Sequence, residues 1–156
     1  MKTIVVFYSR TGNTKFVAEQ IASELGAEIE EVVDLKNREG KMGWLSAGRD
    51  ATGNKETQIG ETEKNLDTYE LVVVGTPVWA WGPSAAIRTF LSKHSFAGKK
   101  VALFFTMDGN PRGAADKTKK LIPNAVLSGE LLLTKPTADK EATKAKITEW
   151  CAKLKD

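Results

Sequence analysis

Three short runs of apolar residues stand out along the chain. Ile4-Val5-Val6-Phe7-Tyr8, Leu71-Val72-Val73-Val74 and Val101-Ala102-Leu103-Phe104-Phe105 are rich in β-branched and aromatic side chains. Each is apolar at successive positions, so neither face of such a strand suits water. That is the pattern of strands inside a parallel sheet. Weaker strands are predicted over residues 28–33 and 126–133, the second interrupted by Ser128-Gly129-Glu130. Between them the apolar period lengthens. Phe16, Val17, Gln20, Ile21 and Leu25 fall largely at helical spacing, and Gly26 closes that helix. Pro83 and Ser84 open a helix over residues 84–91, and residues 114–121 are expected to form another. The last helix, over residues 138–154, places Ile147, Trp150, Cys151 and Leu154 on one stripe.

Strands therefore alternate with helices. An α/β fold follows, with a five-stranded parallel sheet covered on both faces. Right-handed crossovers leave few topologies for it. The segment 36–65 departs from this pattern. It holds Gly40, Gly43, Gly48, Gly53 and Gly60, many charges and few apolar residues. It is expected to be an irregular, partly helical insertion, anchored to the body by Trp44 and Leu45. The chain of 156 residues reads as one domain, 1–156, long enough for a continuous core.

Charge narrows the classes of function. Twenty-three basic and 20 acidic side chains give a net charge of +3. No stretch interleaves basic with aromatic residues, so no nucleic-acid partner is expected. No segment approaches the roughly 20 apolar residues of a membrane span, and the apolar run at residues 4–8 is shorter than a secretory signal requires. The expected location is cytoplasmic. Cys151 is the only cysteine, which rules out an internal disulfide and a thiolate cluster. It is expected to be core packing, and His94 an exposed residue with no catalytic partner. Lys117, Lys119 and Lys120 read as a solvated face.

In open parallel sheets, ligands bind beyond the carboxyl ends of the strands, where strand order reverses. Three loops qualify. The first is Ser9-Arg10-Thr11-Gly12-Asn13-Thr14, between a buried strand and a helix. A helix start offers free N–H groups and the positive end of its dipole, the hydroxyls and the Asn13 amide add donors, and Gly12 permits a close backbone approach. A phosphate fits such a loop, although the same residue types also make an ordinary capped turn. The spacing matches neither a P-loop nor a G-x-G-x-x-G fingerprint. The second is Thr76-Pro77-Val78-Trp79-Ala80-Trp81-Gly82-Pro83. Its two tryptophans suit a wall for a flat aromatic ligand. The third, Thr106-Met107-Asp108-Gly109-Asn110-Pro111-Arg112-Gly113, is rich in turn residues and placed to form the opposite wall.

These loops resemble those of the flavodoxin family. The resemblance covers essentially the whole chain and is most specific at Tyr8-Ser9-Arg10-Thr11-Gly12-Asn13-Thr14, with Gly75-Thr76-Pro77-Val78-Trp79 similar to a second flavin loop. It implies a three-layer, doubly wound, flavodoxin-like fold with strand order 2-1-3-4-5. It also implies one FMN, bound non-covalently. Ser9, Arg10, Thr11, Gly12, Asn13 and Thr14 would hold its phosphate. Thr76, Pro77, Val78, Trp79, Ala80, Trp81 and Gly82 would run beside its ring, with Trp79 or Trp81 stacked on one face. Thr106, Met107, Asp108 and Gly109 would meet the pyrimidine side. The expected function is electron transfer to redox partner proteins, by a monomer or weak dimer. The alternative is an FMN-dependent NAD(P)H or quinone oxidoreductase on the same fold. A phosphorylated receiver is excluded, because the positions after the first and third strands hold Ser9-Arg10 and Gly75-Thr76 rather than the acidic residues it needs. The last strand has no long insertion, as in the short-chain type. Two departures stand out: familiar flavodoxins are strongly acidic, and the third loop here lacks an aromatic residue to cover the outer flavin face, which leaves either Trp44 or Trp81 to substitute or that face open.

Overall fold

The computed structural model describes residues 1–36, 40–52 and 55–156. Gly53, counted above in the insertion, lies outside them. Strands β1 (Thr3–Phe7), β2 (Glu28–Glu31), β3 (Leu71–Trp79), β5 (Lys100–Met107) and β6 (Val126–Thr134) pair in parallel in the order β2-β1-β3-β5-β6. Counting only these five long strands, the order is the expected 2-1-3-4-5. The addition is β4 (Gly82–Pro83), two residues that turn back antiparallel onto the end of β3.

The helices are α1 (Asn13–Leu25), α2 (Gly40–Thr52), α3 (Ala85–Lys93), α4 (Ala114–Lys119) and α5 (Lys140–Lys155). Alternate residues of each central strand feed opposite faces. Val5, Phe7, Val73 and Phe104 pack with Val17 and Ile21 of α1 and with Ile147 and Trp150 of α5. Ile4, Val6, Val72, Leu103 and Phe105 pack with Ile87 and Phe90 of α3 on the other face. Each large apolar side chain buried in this way contributes about 1.5–3 kcal/mol against exposure. A Cβ on Gly75 would lie 1.9 Å from the Phe104 ring, so glycine is what lets that ring fill the space between β3 and β5.

Two elements differ from their expected form. The second ligand loop is largely strand: β3 runs on through Thr76, Pro77, Val78 and Trp79, and Trp79 pairs with Gly82. Ala80 and Trp81 make the turn between them with φ of 45° and 61°. Both central positions of a tight hairpin matched to strand twist need positive φ, and here non-glycine residues accept that strain. The insertion does form a helix, but Trp44 and Leu45 do not anchor it, being 65% and 56% exposed. The inward face of α2 is instead Gly43, Ala47 and Asp50, spaced at i, i+4 and i+7. Small side chains let the helix approach the body closely, and Asp50 pairs with Lys36 Nζ at 3.0 Å.

The chain runs outward from β1 to β2, then crosses to β3 and proceeds the other way. Strand order thus reverses between β1 and β3. The crevice this creates lies beyond Phe7 and Gly75, which are register partners.

Candidate functional site

A cavity of about 480 Å³ occupies that crevice. Its size suits one small-molecule ligand. One end is polar. Gly12, at φ 97°, caps α1 without a side-chain hydrogen bond to the first turn, and no acidic residue sits in that turn. The helix therefore turns uncapped N–H groups and its positive dipole end outward. Arg10, Thr11, Asn13 and Thr14 line this end. The Ser9 hydroxyl accepts the Gly12 N–H at 3.1 Å and so shapes the loop from within. The hydroxyls of Thr14 and Thr106 lie 2.8 Å apart, both buried, and tie the first loop to the third.

The other end is mixed. Pro77, Val78, Trp79, Ala80 and Trp81 of the hairpin give it an apolar wall, and Thr106, Met107, Asp108, Gly109 and Asn110, at and just past the end of β5, a more polar one. Trp79 meets the Tyr8 ring edge-on at 5.4 Å between centroids. Trp81 is 49% exposed, with the Arg112 guanidinium 5.1 Å from its ring. Such a contact contributes about 0.5–1 kcal/mol at an exposed site.

Of the residues singled out from the sequence, Ser9, Gly12, Thr76 and Gly82 do not line the cavity. They support it. Thr76 Oγ1 accepts the Ser84 N–H at 3.0 Å and lies 3.1 Å from the Ser84 hydroxyl, locking β3 to the start of α3. Gly82 is the hairpin partner of Trp79. The remaining thirteen do line it. Four more join them: Trp44, Ala47 and Gly48 from α2, and Asn110. Trp44 carried a signal, as a lone tryptophan in a polar segment. Ala47 and Gly48 carried none, because small residues in a helix look the same whether they face core, water or ligand.

The other candidates stand apart. His94 ends α3, where its Nδ1 lies 2.8 Å from the Phe90 carbonyl and its ring packs 4.4 Å from the Phe90 ring. Cys151 is buried in the α1–α5 layer. Burial first, and then Glu24, push its thiol up to about 11. Among the described residues no group of three or more His, Cys, Asp or Glu could hold a metal ion, and no helix is long and apolar enough to cross a membrane.

A doubly wound sheet with a cavity at the point where its strand order reverses places the protein among the open α/β folds that bind ligands there. Within that class the chain belongs to the flavodoxin family, whose model matches residues 2–154. It is 28% identical over 106 residues to Flavodoxin 1 of Escherichia coli K12, an alignment covering 65% of this chain and 47% of that protein. The matched segment thus spans about half the length of the curated relatives. Among solved structures, a flavoprotein from Lactobacillus acidophilus in complex with FMN superposes with a TM-score of 0.76 at 24% identity, covering 96% of this chain and 97% of that one. A flavodoxin from Streptococcus pneumoniae gives 0.64 at 16% identity, covering 99% and 98%. These two likenesses are of fold.

Proposed function

We propose that residues 1–156 act as one flavodoxin-like domain that binds a single FMN in the switch-point cavity and carries electrons with it between redox proteins. The observation that carries this reading is the joining of two unlike ends in one cavity. An uncapped helix start lined by Arg10, Thr11, Asn13 and Thr14 opens into walls bearing three tryptophans. Family membership and the FMN held by the Lactobacillus acidophilus relative support it.

The donor set fits the group. Arg10, Thr11, Asn13 and Thr14 would take the phosphate on backbone N–H groups and side chains, and Pro77 to Trp81 of the hairpin would flank the ring. Thr106, Met107, Asp108 and Gly109 would border its pyrimidine side. When bound, FMN supplies the acceptance and release of electrons. The chain's own part is to fix the phosphate, orient the ring and exclude water from it. Among the described residues Asp108 is the one carboxylate lining the cavity, and it is exposed. A carrier needs no positioned acid or base. The slight positive charge of +3 favours redox partners with acidic patches, at rates that fall as salt rises. The cytoplasm and a monomer or weak dimer complete the reading.

The test is chromatography of the cofactor released on denaturation, together with FMN titration of the apoprotein. FMN is expected. FAD, or no affinity for FMN, overturns the reading. Oxidation of NADH or NADPH by the purified protein should be negligible without a separate reductase, and rapid oxidation would establish the reductase alternative.

A further inference from the structure

We propose that helix α2 is the outer wall of the ring site, with Trp44 stacked on the face of the flavin ring turned away from the Trp79–Gly82 hairpin. This rests on the FMN reading and extends it to residues outside the three switch-point loops.

The cavity has two aromatic walls from separate parts of the chain. Trp79 and Trp81 belong to the hairpin, and Trp44 belongs to α2. The hairpin indoles already have protein neighbours, Trp79 against Tyr8 and Trp81 beneath Arg112. Trp44 lines the same cavity yet is 65% exposed. An indole that lines a cavity and stays open to solvent is available to a flat ligand held there. A flat ring has two faces, and offset stacking on an indole covers one of them well. The third loop, Thr106 to Asn110, offers no aromatic for that purpose.

The rest of α2 is built for the same task. Ala47 and Gly48 follow Trp44 at i+3 and i+4, so all three share one side of the helix, and all three line the cavity. A Cβ on Gly48 would meet nothing within 4 Å, so the space beside it is open. Glycine weakens a helix interior relative to alanine. Here its absent side chain leaves room beside the indole. The helix is also tied to the segment after β2 and to the first loop. Asp50 pairs with Lys36 at 3.0 Å, and Arg10 of the anion loop donates to the Gly40 carbonyl at 3.2 Å. The wall is therefore positioned relative to the loop proposed for the phosphate.

The experiment is titration of the apoproteins with FMN and, separately, with riboflavin, alongside far-ultraviolet circular dichroism of each variant. Trp44→Ala should weaken FMN and riboflavin by the same factor, about tenfold, and remove part of the tryptophan quenching seen on binding. Trp44→Phe should recover most of the affinity. Gly48→Leu should weaken both ligands at least as much by filling the open space. Trp44 is exposed, so its variants keep the test sound even where Gly48→Leu fails to fold. Parent affinity in Trp44→Ala, with parent quenching, overturns the wall while leaving the FMN reading intact. A parent protein that binds neither ligand overturns the FMN reading and the wall with it.

Discussion

The two walls of the cavity are made in different ways. The hairpin wall grows out of the sheet: β3 runs from the buried Leu71 to Trp79 without a break, paired to β1 as far as Gly75 and to β5 as far as Pro77, and Trp79 follows two residues on, paired with Gly82. The α2 wall is attached from outside, through small inward residues and the Asp50–Lys36 pair. A side chain carried by a packed core inherits the stability of that core. One carried by a docked helix inherits only the docking free energy, which is smaller and more easily changed. The cavity thus has a rigid side and an adjustable side.

The largest expected effect comes from breaking the rigid side at its root. Phe104 is fully buried against Gly75 and the α1–α5 layer. Phe104→Ala should cost about 3–5 kcal/mol of global stability. Urea denaturation is the measurement. Because the hairpin is continuous with the sheet, its tryptophan signal should be lost in the same transition as the helical signal.

Asp50→Ala should act on the other wall with a smaller cost. It removes the carboxylate that meets Lys36. A hydrogen bond to a charged group contributes about 1.5–3 kcal/mol. The Lys36 side chain is 40% exposed and can turn to water, which places the loss nearer 1 kcal/mol. Amide hydrogen exchange should accelerate within residues 40–52 and stay unchanged in β1, β3 and β5. Uniform acceleration across the sheet would show that α2 is part of the core after all.

A still smaller change, of opposite sign, is expected at the turn. Ala80 holds φ 45° and Trp81 holds φ 61°. Left-handed backbone costs a non-glycine residue about 1–2 kcal/mol, and glycine returns part of that as lost chain entropy. Ala80→Gly should therefore stabilise the protein by less than 1 kcal/mol in urea. FMN affinity should not rise, since the turn would then be less firmly held.

The sheet and the layers were legible in the sequence because buried parallel strands leave unbroken apolar runs that few other structures produce. The strand-to-helix junction at residues 9–14 was legible because Ser, Thr, Gly and Asn favour the turn that ends a strand and opens a helix. What escaped was the fate of isolated residues. Trp44 and Leu45 look like anchors in a polar segment, yet a tryptophan at a cavity mouth and one in a core have the same local sequence. Ser9 and Thr76, expected as ligand contacts, do not line the cavity, and each accepts a backbone N–H that shapes it. Continuation of β3 past Gly75 was hidden by Pro77, which sits in the strand where it pairs with Thr106.

Cys151 offers a reporter for the rigid side alone. Its thiol is fully buried on α5, in the layer that also holds Phe104 and Val73. Burial raises its pKa from an ordinary value of 9.0 to about 11. At pH 8 the native thiol is therefore protonated as well as inaccessible, and iodoacetamide, which needs the thiolate, should not label it. Between pH 9 and 11 the unfolded chain ionises this group before the folded one does, so its contribution to stability falls as pH rises. Labelling at pH 8 should proceed only through global opening. Phe104→Ala should accelerate it strongly, whereas Asp50→Ala should leave it nearly unchanged, because loosening α2 does not expose the α1–α5 layer. Equal acceleration by both substitutions would erase the distinction between the two walls.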